Sequence, residues 1–517
     1  MTVTRLARAA AIVAVLGLVS RLLGFVREAV LAAAFGASAD ADAFVSGLLL
    51  VNSVAAVLLY TLVTLVIPVF QQEEQEHGAT SAWRLLAALA GWIGLGLFAL
   101  SMLALLWPEG PAALFGFDDE RAATTAELIR IMAPALAMQG FSALFTAMLQ
   151  VHRKFAGPAA VGVAFNAGII AGVLIGQETI GIRAAAWGVT IGAAMQVALQ
   201  LPQFVRLLRA NHVRPAIWHP RLAWVGGLAL PVLAASILQQ VNNFTDKLFA
   251  ATLEDGRVAA LSFANALGQA PRAALLIPLL TPLFPEIARL VAQGRESGAV
   301  RAFTRVAGML GLVVAPVALL LALYSHEGAQ LAFGRGACDA ACVDEIASPL
   351  LFYGLALPAG FFSFLCNRTL SAGNQTRQIM VATIVTVALT IGLDIVLLGP
   401  LEQAGLALAT AIALYVNALM LLIFLHRRFP EMSLARLGLQ QSRLLVAALV
   451  ATATALAANL VLPTGDASSL TVLGLVAVKV GAALVVYVAI VRLLAPEDLR
   501  EGRAALGALV RRRRAVG

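Results

Sequence analysis

Charged residues are scarce in this sequence. Asp, Glu, Lys and Arg make up 12% of the 517 residues, and hydrophobic residues make up 61%, whereas soluble domains average about 25% charged residues. This composition excludes a soluble globular protein. Apolar runs near 20 residues recur as far as about residue 494, and each could cross a hydrocarbon core of about 30 Å as a helix. The first run lacks an A-x-A-type cleavage site and contains charges, so we expect a retained helix.

Motifs of ATP hydrolysis and hydrolytic catalysis are also lacking. The sequence has no P-loop, no HExxH and no GxSxG, and the segments between apolar runs are too short for a catalytic domain. We therefore expect no enzyme and no cofactor. Energy would come from an ion gradient, the membrane potential or the substrate gradient.

Cysteine is rare as well, with three residues. Cys338 and Cys342 fall in a predicted outside loop, where a local disulfide and two free thiols both remain open. Two cysteines alone make a poor zinc site. Cys366 lies within an apolar run, where we expect it to pack.

The apolar runs predict fourteen transmembrane helices. With the N-terminus placed in the cytoplasm, 26 of the 36 Lys and Arg fall in inside segments and 4 in outside segments. This asymmetry follows the positive-inside rule and predicts that both termini are cytoplasmic. The predicted spans are 9–34, 42–70, 83–107, 124–150, 158–177, 183–206, 222–252, 258–288, 300–324, 346–370, 378–398, 403–425, 443–462 and 470–493.

The chain repeats itself. The 18-residue stretch from Arg27 to Phe44 matches the stretch from Asp246 to Phe263 in length, in its initial charged pair and in crossing a short outside turn. We predict an all-α polytopic protein of two six-helix lobes, related by a pseudo-twofold axis along the membrane normal, with a central cavity between them. The predicted divisions are an N-terminal lobe at 1–210, a C-terminal lobe at 211–428, helices 13–14 at 429–494 and a basic cytoplasmic tail at 495–517.

The basic tail ends in four consecutive arginines at 511–514. We interpret it as an anchor at an anionic lipid surface and expect no nucleic-acid partner.

The first helix carries charges that a lipid-facing helix would not tolerate. Arg21, Arg27 and Glu28 lie in one apolar run, and the arginines lie about 120° apart around the helix axis. Because arginine stays ionised and its planar fork matches phosphate geometry, two arginines facing a cavity favour an anionic substrate such as a pyrophosphate. A structural Arg–Glu pair or snorkelling of the side chains is the alternative.

The seventh predicted span supplies a second polar stripe. Gln239, Asn242, Asn243 and Asp246 share one helical face, with Lys247 beside it. The stripe indicates a wet cavity or an ion site, with a structural helix–helix network as the alternative. Span 11 adds Asp394, with Thr390 one turn earlier. These oxygens could ligate a hard cation, or Asp394 could be a lone interfacial acid.

Four stretches resemble the MurJ/MviN lipid II flippase family of the MOP exporter superfamily. They are SRLLGFVREAVLAAAFGASADADAF at 20–44, MLQVHRKFAGPAAVGVAFNAGII at 148–170, NRTLSAGNQTRQ at 367–378 and GLALATAIALYVNAL at 405–419. The resemblance implies a 14-helix transporter of the bacterial cytoplasmic (inner) membrane. It would move an undecaprenyl-pyrophosphate-linked peptidoglycan precursor, lipid II, to the outer leaflet by alternating access, with cell-wall synthesis proteins as candidate partners.

The resemblance also implies roles for individual residues. Arg21 and Arg27 match the family's arginines that face the diphosphate, and Asp42 matches an acidic gating residue. A candidate Na⁺ site matches Asp246, Thr390, Asp394 and Thr410, with Na⁺ or H⁺ as the coupling ion. The full set of candidate substrate-binding residues is Arg21, Arg27, Glu28, Asp42, Asn52, Lys247 and Arg272.

Two positions depart from the family pattern. Span 2 reads VNSVAAVLLYTLVTLVIP, without the usual arginine and with Asn52 as a polar residue, and Ala266 stands where span 8 usually has arginine. Arg272, six residues on, lies on a different helical face. Another polyprenyl-linked glycan therefore remains an alternative cargo. Further alternatives are a cation-coupled multidrug exporter of the same superfamily, a scaffold, or a membrane glycosyltransferase using the acidic run at 118–121.

Overall fold

The computed structural model is helical over the residues that it describes, which are 3–211, 216–280, 284–462 and 469–500. No strand occurs within these ranges. The arginines at 511–514 lie outside the described residues. The helices are α1 Val3–Phe35, α2 Ala39–His77, α3 Ala79–Leu106, α4 Glu109–Ala113, α5 Asp119–Val151, α6 Ala156–Ile180, α7 Arg183–Ala210, α8 Leu222–Ala250, α9 Arg257–Leu280, α10 Phe284–Ala292, α11 Glu296–Leu323, α12 Ser325–Phe333, α13 Ala340–Ala372, α14 Thr376–Arg428, α15 Leu434–Val461 and α16 Ser469–Leu494.

The helices confirm an all-α polytopic protein. Eleven described helices are long and apolar enough to cross a membrane. One of them, α14, contains a backbone break at Glu402 (φ 49°, ψ −133°) that separates the predicted spans 11 and 12. Helix α1 overlaps predicted span 1, and α9 overlaps predicted span 8 but ends at Leu280, before the predicted end at 288. The count of fourteen spans stays a prediction.

Local sequence explains several helix ends. The Ser38 hydroxyl caps α2 by accepting from the Ala41 N–H, and Asp118 caps α5 in the same way through Arg121. Gly78 separates α2 from α3 with a φ of 81°, a conformation that favours glycine.

Two compact units divide the chain, and each is described by itself. The first comprises Met1–Ser262 with Arg335–Asp339, and the second comprises Phe263–Gly334 with Ala340–Gly517. In the first unit, α5 packs against α2, α3 and α7, while α1 packs against α6 and α8 against α2. The lobe boundaries at 210 and 428 stay a prediction.

Glycines allow α6 and α7 to approach closely within the first unit. A Cβ on Gly168 would lie 2.4 Å from the Cα of Gly192, and one on Gly188 would lie 2.8 Å from the Cα of Ile169. Small residues serve this purpose in membrane proteins because lipid offers no hydrophobic drive for helix association, so close van der Waals contact must supply it.

The second unit packs around α11, which contacts α13 on one side and α15 on another. Phe303, Leu310 and Phe361 belong to one buried cluster, and Leu444 and Tyr487 belong to a second. Cys366 is a buried free thiol in the first of these clusters, as expected. Two other cysteines, Cys338 and Cys342, are disulfide-bonded.

Candidate functional site

Arg27 is fixed in place by polar contacts within the first unit. Its Nη1 donates to Oδ1 of Asn166 on α6 at 3.1 Å, and its Nη2 pairs with the Glu28 carboxylate. Asn166 is held in turn, because its amide donates to the carbonyls of Ser20 and Gly162 at 3.1 and 2.9 Å. The guanidinium therefore has a defined orientation.

One donor of this guanidinium remains unused. The Nε of Arg27 is buried and has no hydrogen-bond partner among the described residues. Arg21, the other candidate on α1, has an exposed side chain. The Arg27–Glu28 pair that was the structural alternative is thus present, and it leaves donor capacity for an anion.

Lys247 on α8 belongs to the same charged group. Its ammonium donates to the Ser262 hydroxyl and lies within electrostatic range of Glu28, Asp246 and Arg27. The first unit therefore brings together four of the predicted charged residues of spans 1 and 7.

The rest of the polar stripe follows one face of the unbroken helix α8. Asn242 and Asp246 are half-buried and Asn243 is exposed, whereas the side chain of Gln239 lies outside the described residues. Asn52 on α2 is also half-buried. Its side chain makes no hydrogen bond within the described part of the chain.

Asp42 joins two helices at one end of the first unit. Its side chain is completely buried. One carboxylate oxygen accepts from the Ala259 N–H at 2.7 Å and the other from the Gly256 N–H at 2.8 Å. Asp42 thereby satisfies free amide groups at the N-terminus of α9, where negative charge is favoured. Gly256 is required there, since its φ is 88° and a Cβ would meet the Ala37 oxygen at 2.4 Å.

Arg121 extends this contact to α5. Its guanidinium lies 4.0 Å from Asp42 and forms closer ion pairs with Asp118 at 2.9 Å and Asp255 at 3.1 Å. A hydrogen bond from the Arg121 backbone N–H lowers the pKa of Asp118. The acidic run at 118–121, considered above as a catalytic candidate, therefore caps a helix and links three helix ends.

Arg272 lies in the second unit, in a small cavity of about 60 Å³. Its neighbours there include Asn265, Gln269 and Thr410, and it passes close to Gly360. Gln269 donates to Asn265 at 3.1 Å. The α9 residue at the usual arginine position, Ala266, does not line this cavity.

Asp394 is a buried carboxylate on α14. It is completely buried, and neither carboxylate oxygen has a hydrogen-bond partner among the described residues. Thr390, also buried, donates to the Thr386 carbonyl at 2.9 Å. Such an acid needs a proton or a cation to offset the cost of its burial. The coupling ion itself stays a prediction.

The complete Na⁺ site stays a prediction. Asp246 belongs to the first unit, whereas Thr390, Asp394 and Thr410 belong to the second. Within the described residues, no group of three or more His, Cys, Asp or Glu could hold a metal ion.

Asn166 and Arg121 are the two site residues that the sequence analysis missed. Asn166 lies within the stretch 148–170 that resembles the flippase family, so a signal existed, but its partner Arg27 is 139 positions away. Arg121 lies at the end of the acidic run at 118–121, which was considered only for its acidic residues.

Comparison with known proteins gives consistent matches. Residues 31–476 match the model of the family described as "Lipid II flippase MurJ". The chain is 29% identical to a probable lipid II flippase MurJ of Rhizobium meliloti strain 1021, over 78% of this chain and 77% of that protein. It is 27% identical to the lipid II flippase MurJ of Burkholderia cenocepacia, over 80% and 82% of the two chains.

Two solved structures resemble this chain in fold. A structure of the lipid II flippase MurJ in an inward closed conformation matches 94% of this chain and 99% of its own, with a TM-score of 0.79 and 18% identity. An inward-facing MATE-family multidrug transporter of the MOP superfamily matches 80% of this chain and 95% of its own, with a TM-score of 0.65 and 12% identity.

Proposed function

The chain belongs to the lipid II flippase MurJ family, and we propose that it moves lipid II across the bacterial inner membrane by alternating access. The observation that carries this proposal is the oriented guanidinium of Arg27. It lies in a membrane helix with an unused donor, close to the cation of Lys247. A substrate with a pyrophosphate group supplies the anionic oxygens that such donors bind.

Glu28 explains how the charge of Arg27 is tolerated in the membrane when no substrate is bound. A charge near the middle of a membrane helix costs about 2.5–3.5 kcal/mol on insertion scales. Glu28 offsets this cost by pairing with Arg27. When a pyrophosphate arrives, it bonds the free Nε of Arg27 and recruits the exposed Arg21. Binding therefore adds contacts and leaves Asn166 holding the guanidinium.

Asp42 supplies the closing contact in this proposal. The arginine distribution predicts that its end of the protein faces outward. There it holds the start of α9 against the start of α2, with Arg121 beside it. Release of the substrate to the outer leaflet requires this contact to open.

We further propose that Asp394 couples transport to Na⁺ or H⁺. Its two unpartnered oxygens support this role, because binding a cation there would favour one conformation over another. An Asp394→Asn protein is expected to transport lipid II at a rate that no longer responds to Na⁺ or to pH. An unchanged response would refute the coupling role without affecting the substrate assignment.

The proposed substrate is tested by measuring how much lipid II is exposed on the outer face of the membrane in cells. After depletion of this protein, an added enzyme that cleaves only outward-facing lipid II should find little substrate. Wild type should restore cleavage and Arg27→Ala should not. Arg130→Ala is the matched control, because Arg130 also lies in a predicted span but forms an exposed pair with Glu109. Restoration of cleavage by Arg27→Ala would refute the pyrophosphate clamp.

One observation favours a second cargo. The polar cavity around Arg272, with Ala266 at the usual arginine position, departs from the family pattern. A flippase for another polyprenyl-linked glycan would use the same pyrophosphate contacts and different sugar contacts. Cleavage of lipid II that is unaffected by depletion, together with loss of another surface glycan, would favour this alternative.

A further inference from the structure

A long apolar groove runs through the first unit, away from the charged group of α1. It consists of two cavities of about 830 and 630 Å³ that share Leu58 and Ile93 in their walls. Helices α2, α3 and α8 supply most of the lining, and α1 supplies none of it. We call it the α2–α3–α8 groove.

The groove is as long as a bilayer core is thick. Along α2 its lining extends from Leu50 to Val69. At 1.5 Å per residue this stretch is about 28 Å long, and the hydrocarbon core of a membrane is about 30 Å thick. An acyl chain from one leaflet reaches about half that depth, so it would fill only one of the two cavities.

The lining suits a hydrocarbon chain and offers little to a polar group. Its threonine hydroxyls are already bonded within the protein, Thr61 to Ser236 at 3.1 Å and Thr245 to the Val241 carbonyl at 2.8 Å. Apart from His219 at one end, no titratable side chain lines the groove in the described residues. Ser53 and Gln240 also line the first cavity, and the Ser53 hydroxyl is already buried without a hydrogen-bond partner among the described residues. A hydrocarbon chain would therefore cover few polar groups that are not already bonded or already buried.

The end that contains His219 has the character of a membrane interface. Trp92 and Trp218 line it, and the Trp92 indole donates to the Ile217 carbonyl at 3.0 Å. Tryptophan is enriched at this depth of a bilayer. Arg84 is exposed and lies within electrostatic range of His219. Glu73 also lies at this end, 3.8 Å from the Nε2 of His219, but it pairs with Arg221 at 3.2 Å. Arg84 has no ion pair among the described residues, so its charge is available to an anionic phosphate placed at this mouth.

We propose that the α2–α3–α8 groove binds the polyprenyl chain of a lipid-linked phosphate, with the phosphate at the mouth beside Arg84. The proposal rests on the proposed function, since a flippase for lipid-linked precursors must accommodate such a chain. Three observations select this occupant: the length of the groove, its apolar lining and the cation at its mouth. The groove lies apart from the arginines proposed to hold the pyrophosphate, so it represents a separate, early contact with the cytoplasmic leaflet.

Photo-crosslinking tests the groove directly. The full-length protein in zwitterionic nanodiscs is illuminated with a diazirine-bearing polyprenyl monophosphate, and crosslinked peptides are mapped. We expect label on α2, α3 and α8. Gly96→Trp should lower it about tenfold by filling the groove, because a Cβ on Gly96 meets open space. Leu95→Trp is the matched control, since Leu95 is exposed and lies outside the lining.

Three outcomes would overturn the groove proposal. They are label distributed outside these helices, label unchanged in Gly96→Trp, and equal loss in Leu95→Trp. Competition distinguishes the occupants: excess unlabelled polyprenyl phosphate should displace the probe, whereas displacement by phosphatidylglycerol to the same extent would identify a bilayer phospholipid. Thermal unfolding of both variants establishes that they are folded.

The two proposals fail differently. Arg27→Ala is expected to retain groove labelling while losing lipid II exposure in cells. Groove labelling with no dependence of lipid II exposure on this protein would refute the proposed cargo alone. Lipid II exposure that survives in Gly96→Trp, with labelling also intact, would refute the groove alone.

Discussion

At the scale of single residues, the site is governed by what each buried charge contacts. Sequence predicted that Arg27 either pairs with Glu28 or lines a cavity. The pair forms, and one donor of the guanidinium has no partner among the described residues; the cavity-lining role stays a prediction. Sequence could not predict Asn166 as the residue that orients Arg27. A hydrogen bond between distant helices depends on their packing, which local patterns do not encode.

Replacing Asn166 tests whether orientation of Arg27 matters. Asn166→Ala removes the acceptor for Arg27 and two donors to backbone carbonyls. We expect lipid II exposure to fall about tenfold, as loss of a charge-assisted hydrogen bond of about 1.5–3 kcal/mol allows. Asn211→Ala is the control, because it removes one amide hydrogen bond at the end of α7. Equal activity of the two variants would contradict the orienting role.

Replacing Asp42 tests the contact between α2 and α9. In Asp42→Asn, one oxygen becomes an NH₂ group that cannot accept from a backbone N–H, and the favourable charge at the α9 N-terminus is lost. We expect the free energy of unfolding to fall by about 1–3 kcal/mol, measured by chemical denaturation in detergent. Asp40→Asn, at an exposed position in the same helical turn, should have little effect. A similar loss in both variants would count against this contact.

At the scale of helices, apolar length and charge located the spans, although several predicted ends differ from the helix ends by six to nine residues, such as 443 for the helix that begins at Leu434. The span predicted at 183–206 corresponds to the helix Arg183–Ala210, and the span predicted at 222–252 corresponds to the helix Leu222–Ala250. The short helices α4 and α12 lie between predicted spans and were not predicted, because helices of five or nine residues have too little periodicity to recognise. The seventh span was predicted to begin the C-terminal lobe, and that lobe boundary stays a prediction. Its packing in the first unit depends on tertiary contacts with α2 and α3.

The glycine contact between α6 and α7 makes a prediction at this scale. Gly168→Ala places a methyl group against the Gly192 backbone, and we expect it to destabilise the protein by about 1–3 kcal/mol through overpacking. Gly474→Ala on α16 gains the same helix propensity and meets open space. The stability of both variants is measured by thermal unfolding, in which Gly474→Ala should be neutral or stabilising. A neutral Gly168→Ala would mean that the helices can separate without cost.

At the scale of the whole molecule, composition determined the class and the resemblance identified the family. The low charge content excluded a soluble protein, and the helices bear this out. The tertiary arrangement of the helices depends on contacts between residues far apart in sequence, which the sequence did not predict. They include the link from Asp42 to the α9 N-terminus and the continuity of the α2–α3–α8 groove. Hydrophobic patterning specifies which segments enter the membrane, and packing specifies which of their faces meet.

The distribution of arginine makes the last prediction. Because the predicted inside segments carry 26 Lys and Arg and the predicted outside segments carry 4, the positive-inside rule predicts an even number of spans with both ends in the cytoplasm. Alkaline phosphatase fused after Gly517 should therefore be inactive, while a fluorescent protein at the same position should fluoresce. Phosphatase fused after Pro463, beyond predicted span 13, should be active and serves as the control. An active fusion at Gly517 together with an inactive one at Pro463 would reverse the predicted orientation, and with it the sidedness proposed for Asp42 and Arg84. Activity of both fusions would instead mean that the last predicted span does not cross the membrane.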